Sequence, residues 1–95
     1  MSVEAMRVEE AERAQLNALL SLKVTAEADP GAIVRVLHPF QSLNIYPRRV
    51  LAEQAITGHI EIRVDVFGIS ERTLNLIAAK LRQVPCIFNA YWHRT

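Results

Sequence analysis

The feature that most constrains the fold is a run at residues 60–67, IEIRVDVF, in which apolar and polar side chains alternate strictly up to Val66 and Phe67 takes the next outward position. Alternation with a period of two is typical of a strand that buries one face and exposes the other. Residues 20–28, LSLKVTAEA, show the same pattern. A sheet built from such strands has one apolar face, so other elements of the chain must cover it.

A first helix is predicted at residues 30–37, directly after the strand at 20–28. Its apolar residues recur at helical spacing, at Ile33, Val36, Leu37 and then Phe40. Pro39 is expected to end or kink the helix near His38, because the proline ring clashes with the carbonyl four residues back.

A second helix is predicted at residues 71–83. Ser70 stands before it as a favourable N-cap, and Pro85 closes it. Its apolar stripe consists of Leu74, Ile77, Ala78 and Leu81. Two amphipathic helices are therefore available to cover the apolar face of the sheet.

Two further strands complete the pattern. Residues 45–54 form one, with Pro47 near its start, and a hairpin at residues 55–59 around Gly58 joins it to the strand at 60–67. In the last strand, residues 86–93, one face is expected to hold Phe88, Ala90 and Trp92. The order predicts an α+β, ferredoxin-like βαββαβ sandwich, with two helices on one face of a four-stranded antiparallel sheet. Residues 1–19 are predicted to be an N-terminal helical extension, and residues 20–95 the domain.

The chain is short and nearly neutral. Its 95 residues, 51% of them apolar, suit a single core, and so small a domain gains stability from further burial, so a homodimer is expected. A net charge of +1, with acids and bases mixed, gives no reason to expect nucleic acid or a membrane as a partner. One cysteine excludes an intramolecular disulfide. With no secretion signal and no run of membrane-spanning length, a cytoplasmic location is expected.

Residues for catalysis, metal binding or base stacking do not occur in the patterns that these functions need. Cys86 has no partner cysteine, and metal-site spacing is lacking among His38, His59 and His93. An RNA-binding version of this fold needs stacking aromatics on its two central strands, and only Phe67 lies there. The chain is therefore expected to be no enzyme and to hold no metal or cofactor.

The best candidate for a binding site is the turn Asp29-Pro30-Gly31, between the first strand and the first helix. Asp29 can accept hydrogen bonds from the first helical turn, Pro30 suits the first helical position, and Gly31 leaves the backbone bare. Accessible amides at a helix N-terminus carry a partial positive charge that attracts a carboxylate or phosphate. The same turn also serves simply to cap the helix, which is the more common role of such a sequence.

The sequence resembles the ACT domain, a small ligand-binding regulatory module with the same βαββαβ order. The resemblance covers about residues 20–94 and rests on the Asp29-Pro30-Gly31 turn, the apolar helix after it, and Asn44-Ile45 before the second strand. Within the family, the segments GAIVRV at 31–36 and IEIRVDV at 60–66 are similar to the small regulatory subunit of acetolactate synthase in its short, single-domain form. Two features depart from that pattern: the interval between Gly31 and Asn44 is short, and Ser42-Leu43 stands where a glycine is usual.

This resemblance implies a non-catalytic chain that regulates allosterically by binding. In the family an amino-acid effector, valine or a similar product of branched-chain amino-acid biosynthesis, lies between two ACT domains. Its carboxylate would meet the amides around Gly31 and Ala32, and the side chain of Asn44 would hold its ammonium group. The residues implied in the site are Asp29, Pro30, Gly31, Ala32, Asn44 and Ile45.

The partner implied by the resemblance is the large catalytic subunit of acetolactate synthase. The thiamine diphosphate, magnesium and flavin of that system would belong to that subunit. Several alternatives stay open: a purely structural subunit without an effector, a freestanding ACT-like amino-acid sensor or dimerisation module for another protein, and, as a distant third class, a nucleic-acid-binding ferredoxin-like domain.

Overall fold

A computed structural model describes residues 18–95, in which four strands and two helices follow one another in the predicted order. The strands are β1 (Leu20–Ala26), β2 (Arg49–Gln54), β3 (Ile60–Val66) and β4 (Ile87–Arg94), and the helices are α1 (Gly31–Ser42) and α2 (Glu71–Leu81). The strands form one antiparallel sheet in the order β2-β3-β1-β4. The predicted ferredoxin-like fold is thereby confirmed. The predicted N-terminal helical extension lies outside the described residues, apart from its last two.

β1 and β3 are the two central strands of the sheet, and their pairing determines which residues lie on each face. Leu22 lies opposite Val64 and Val24 opposite Ile62, and all four side chains are buried beneath the helices. The helices complete this core. In α2 the buried residues are those predicted for its apolar stripe, Leu74, Ile77, Ala78 and Leu81, whereas in α1 they are Ala32, Val36 and Phe40, and the predicted Ile33 and Leu37 are only partly buried. Neither helix is long and apolar enough to cross a membrane, as far as residues 18–95 are concerned.

The opposite face of the same two strands carries a buried polar pair. Ser21 lies opposite Asp65, and its Oγ donates a hydrogen bond to Asp65 Oδ1 over 2.5 Å. Arg63 Nε donates to the same oxygen over 2.9 Å. Burial alone would raise the pKa of Asp65, but the hydrogen bonds from Ser21 and Arg63 and the charges of Arg63 and Arg49 outweigh it and lower that pKa below its ordinary value. The carboxylate is thus held ionised on the centre of this face.

Of the two outcomes predicted near His38, an end or a kink of α1, the end is wrong, because the helix continues through Pro39 to Ser42. Proline inside a helix costs about 3 kcal/mol through its missing N–H and its ring. Phe40, in the next position, is buried in the core. Burying a phenylalanine contributes about 1.5–3 kcal/mol, and each hydrogen bond that closes the helix contributes about 0.5–1.5 kcal/mol more. These gains offset the cost of Pro39.

The predicted alternation of β4 is also corrected. The pairing with β1 shifts between Thr25 and Ala26, so that Asn89 faces Thr25 but Ile87 faces Ala26. Phe88 is the extra residue of this β-bulge, and it lies exposed against His59 instead of sharing the buried face with Ala90. Because Ile87 and Phe88 at the bulge are both apolar, the sequence alone does not show where the alternation of β4 changes phase.

The second strand is shorter than predicted and is fully exposed. It begins at Arg49 and not at residue 45, because residues 43–48 form the turn that ends α1 and leads into the sheet. All six residues of β2 are exposed, and the strand lies at the edge of the sheet beside β3. The predicted hairpin at 55–59 is present, with Gly58 at a φ of +92°. The predicted cap is present as well, since Thr73 N–H donates to Ser70 Oγ.

Replacing Asp65 by asparagine is expected to lower the free energy of unfolding at pH 7 by about 1–3 kcal/mol, because Arg63 and Arg49 lose their buried countercharge. The pKa of Asp65 is lowered by folding, so its contribution is complete above the unfolded-state pKa and is lost as the pH falls through the folded-state value. Urea unfolding from pH 7 to pH 2.5 measures this, with Glu61→Gln, an exposed carboxylate on the same strand, as control. A D65N deficit that persists at the acidic end contradicts the assignment.

Candidate functional site

The turn before α1 places its two first amides in hydrogen bonds with Asp29. The N–H of Gly31 donates to Asp29 Oδ1 over 2.9 Å, and the N–H of Ala32 donates to the Asp29 carbonyl over 2.9 Å. Pro30 has helical backbone angles, as expected of a residue at the start of a helix. Asp29 therefore caps the helix as predicted, and the amides predicted to receive a ligand carboxylate already have a partner.

Gly31 does not have a positive φ, so its backbone conformation does not require glycine. A Cβ at this position would lie 3.4 Å from Asp29 Oδ1, with the guanidinium of Arg35 next nearest. The position is therefore open to a small side chain, but that side chain would press on the carboxylate that caps the helix.

Arg35 connects this turn to the start of β4. Its Nη1 lies 3.3 Å from Asp29 Oδ2 and 3.3 Å from the sulfur of Cys86. The contacts with Cys86 and then with Asp29 raise the pKa of Arg35 above its ordinary value, so the guanidinium stays charged. The sequence analysis did not single out Arg35. The signal available was its place on the second turn of the helix, six residues after the acidic cap, where an arginine can reach back to the carboxylate.

Asn44 closes the other end of α1. It has a left-handed backbone with φ of +56°, its N–H donates to the Gln41 carbonyl over 3.0 Å, and the N–H of Ile45 donates to the Phe40 carbonyl over 2.8 Å. These two bonds define a Schellman motif, in which the first residue past the cap is left-handed and the next packs against the helix. Ile45 packs on the core and lines a groove together with Phe40, which completes the motif. Asparagine here therefore has a structural role, whether or not it also binds a ligand.

One chain does not bring the two halves of the predicted site together. Gly31 and Asn44 lie at opposite ends of the same helix. At 1.5 Å per residue, their separation along the helix is about 20 Å. An amino acid is far too small to contact both. Asp29, Pro30, Gly31 and Ala32 thus form one half of the predicted site, and Asn44 and Ile45 form the other.

Two grooves lie between α1 and the exposed strand β2, one beside each half of the site. The groove near Asn44 has a volume of about 460 Å³ and is mainly apolar, lined by Leu37, Phe40, Gln41, Asn44, Ile45, Tyr46, Pro47 and Val50. The groove near Pro30 has a volume of about 320 Å³ and is lined by Ala28, Pro30, Ile33, Ala52, Glu53, Gln54 and Ile60. Tyr46, almost fully exposed, stands at the mouth of the first.

The histidines and the cysteine lie in four separate places. His38 is near Ser42 on α1, His59 contacts Phe88, His93 lies opposite Ser21, and the buried Cys86 contacts Arg35. Within residues 18–95, no group of three side chains is placed to hold a metal ion.

The sequence model of the family described as "ACT-like domain" matches residues 11–95. No curated protein sequence gives a significant match.

Solved structures share the fold at low sequence identity. The C-terminal domain of the MgtC protein from Mycobacterium tuberculosis is 16% identical with a TM-score of 0.68, and the match covers 83% of this chain and 88% of that one. The ACT domain from GTP pyrophosphokinase of Chlorobium tepidum is 17% identical with a TM-score of 0.66, over 81% and 99% of the two chains. A homoserine dehydrogenase from Thiobacillus denitrificans is 14% identical with a TM-score of 0.67, over 81% of this chain but only 17% of that one.

Asn44→Ala is expected to lower the free energy of unfolding by about 1 kcal/mol, because alanine tolerates a left-handed backbone poorly. Asn44→Gly is expected to leave stability within about 0.5 kcal/mol of the wild type, since glycine adopts that conformation without strain. Urea denaturation of the two variants measures the difference. Equal losses in both would show that the Asn44 side chain, and not its backbone angle, supports the fold.

Proposed function

Because the chain belongs to the ACT-like domain family, we propose that it is a non-catalytic regulatory or activating module that binds an amino acid between two copies of itself. Binding favours one state of assembly over another, and a catalytic partner responds to that state. The observation that carries the proposal is the division of the candidate site between the two ends of α1, which makes one copy insufficient.

The exposed edge of the sheet is the surface that joins the two copies. An edge strand presents a row of backbone N–H and C=O groups that can pair with another strand. All six residues of β2 are exposed, and two of them, Val50 and Leu51, are large and apolar. Antiparallel pairing of β2 with β2 of a second copy gives a closed two-fold dimer with a continuous eight-stranded sheet.

The side chains of β2 favour one register of this pairing. Residues directly opposite each other in an antiparallel pair lie on the same face of the sheet. The two-fold axis between two copies of β2 must therefore lie where one residue is opposite the same residue of the second copy. With the axis at Leu51, Arg49 lies opposite Glu53 of the second copy, and Val50 lies opposite Ala52 of the second copy. Glu53 lies opposite Glu61 within its own chain, an unfavourable pair of like charges that Arg49 of the second copy offsets. With the axis at Ala52, Glu53 would face a leucine instead.

The same two-fold axis unites the halves of the site. The groove near Asn44 includes Val50, close to the start of β2, and the groove near Pro30 includes Gln54, at its end. Antiparallel pairing brings the start of one strand beside the end of the other. Asn44 of the second copy therefore approaches the Gly31 turn of the first, and the dimer has two equivalent sites.

The ligand that suits these sites is an amino acid with an apolar side chain, of which valine is the branched-chain example. Its carboxylate binds the amide of Gly31, and Asn44 of the second copy holds its ammonium group. Leu37, Ile45 and Val50 offer an apolar surface for its side chain. The carboxylate reaches the Gly31 amide by replacing Asp29 Oδ1, while Arg35 retains Asp29 through Oδ2.

The partner proposed is the catalytic subunit of an acetolactate synthase, in the cytoplasm, and the support for it is the likeness of segments 31–36 and 60–66 to the small subunit of that enzyme. A freestanding sensor or dimerisation module for another protein is the alternative, since the fold also occurs as a small part of a homoserine dehydrogenase chain. Purification of the complex from the native cell separates the two. A large thiamine-dependent enzyme in the complex supports the first, and any other partner supports the second.

Charge reversal on β2 tests the dimer. Arg49→Glu and Glu53→Arg each replace two attractive cross-strand pairs by two repulsive ones, so each is expected to weaken the dimer by about tenfold or more. The double variant R49E/E53R recreates both pairs and is expected to restore the wild-type dissociation constant. Sedimentation equilibrium at micromolar concentrations measures the dissociation constant. Lys23→Glu, on the face of the sheet opposite the helices, is the control. A double variant as weak as either single variant rules out this register.

Calorimetric titration with valine tests the ligand site. Wild type is expected to bind one valine per chain, and Asn44→Gly is expected to lose binding while keeping its fold, because glycine preserves the turn but removes the amide side chain. Gly31→Asp is expected to lose binding as well, since its carboxylate repels that of valine, whereas Asn75→Asp adds the same charge on the exposed face of α2 and is expected to have no effect. If wild type binds no amino acid, the purely structural subunit replaces the ligand-binding one.

A further inference from the structure

A third groove lies on the other side of α1, between α1 and α2, with a volume of about 480 Å³. Its floor is apolar and consists of Val34 and Pro39 from α1, Leu81 at the end of α2 and Val84 just beyond it. Val34 is 69% exposed, although it belongs to an amphipathic helix and has no polar atom in its side chain. The volume falls within the range of small-molecule sites, which is about 300–1,000 Å³.

The rim of this groove is entirely basic or neutral. Its polar lining residues are Arg35, His38 and Lys80, and no carboxylate lines it. Lys80 forms no ion pair with any side chain in residues 18–95. Arg35 uses only Nη1 for Asp29 and Cys86, so the N–H groups on Nη2 and Nε are available to a further acceptor.

From this arrangement we infer that the α1–α2 groove binds an amphipathic anion, a small molecule with a carboxylate at one end and a hydrocarbon group at the other. The hydrocarbon group covers Val34, Pro39 and Val84, and removing this apolar surface from water supplies the affinity. The carboxylate lies between Lys80 and Arg35, where charge-assisted hydrogen bonds fix its orientation. A cation with the same hydrocarbon group meets like charge at the same place.

This site is separate from the amino-acid site of the proposed function. Val34, Arg35 and His38 face the α1–α2 groove, whereas Ile33, Leu37 and Gln41 face β2. Pairing of two copies through β2 leaves the α1–α2 groove open. The inference therefore holds or fails independently of the dimer and of valine binding.

The experiment is a titration of the full chain with octanoate, followed by backbone amide NMR shifts and by calorimetry. Octanoate is expected to shift the amides of residues 34–39 and 80–84 and to bind one molecule per chain, while octylammonium and octanol, of equal chain length, bind at least about fivefold more weakly. Lys80→Glu is expected to weaken octanoate binding by about fivefold or more. Lys23→Glu, the same substitution on the face of the sheet opposite the helices, is expected to leave octanoate binding unchanged.

Three results would overturn the inference. Equal binding of octanoate and octylammonium would show that the groove recognises only the hydrocarbon group. Equal effects of Lys80→Glu and Lys23→Glu would show a response to net charge alone. Shifts confined to residues 29–32 and 44–50 would place octanoate in the amino-acid site. Lys80 is exposed on the last turn of α2, so its replacement does not affect the core, and circular dichroism of both variants verifies this.

Discussion

The register between β1 and β3 is the interaction on which the rest of the structure depends. Seven consecutive pairs, from Leu20 opposite Val66 to Ala26 opposite Ile60, define both faces of the sheet at once. One face receives Leu22, Val24, Ile62 and Val64, and the helices pack there. The other receives Ser21, Asp65 and Arg63, and the hydrogen bond from Ser21 to Asp65 forms only in this register. A slip by one residue would bury the charges beneath the helices and expose the core, so the alternative registers are strongly disfavoured.

The length of α1 then determines how a ligand site can be built. The helix begins with the cap at Asp29 and ends with the left-handed turn at Asn44, and its length keeps these two ends apart. The shorter helix predicted from Pro39 would have left the path from Gly31 to Asn44 undefined. Burial of Phe40 extends the helix through the proline, and this extension is what assigns the two halves of the site to different copies.

Most of the fold, but only part of the candidate site, could be predicted from the sequence. Strands with one buried face and helices with clear stripes were predicted correctly, because periodicity records burial directly, as at Ile60–Val66 and Leu74–Leu81. One error is the start of β2. The others lie at Pro39 and Phe88, where tertiary packing outweighs a local rule: the core accepts a proline beside a buried phenylalanine, and a bulge shifts the phase of β4. Asn44 was recognised through a resemblance, but its left-handed backbone and its two closing hydrogen bonds depend on where α1 ends.

The two proposed sites share one ion pair. Asp29 Oδ1 holds the amide that a ligand carboxylate needs on the β2 side of α1, and Asp29 Oδ2 holds Arg35, which lines the groove on the α2 side. Under both proposals, a carboxylate that replaces Asp29 Oδ1 at Gly31 would change the charge distribution around Arg35, and an anion on Nη2 and Nε of Arg35 would weaken its attraction for Asp29 Oδ2. Ligands that act on the same pair are coupled, and the coupling free energy is the same in both directions. Under both proposals, the ion pair between Asp29 and Arg35 would therefore couple occupancy of one face of α1 to affinity at the other.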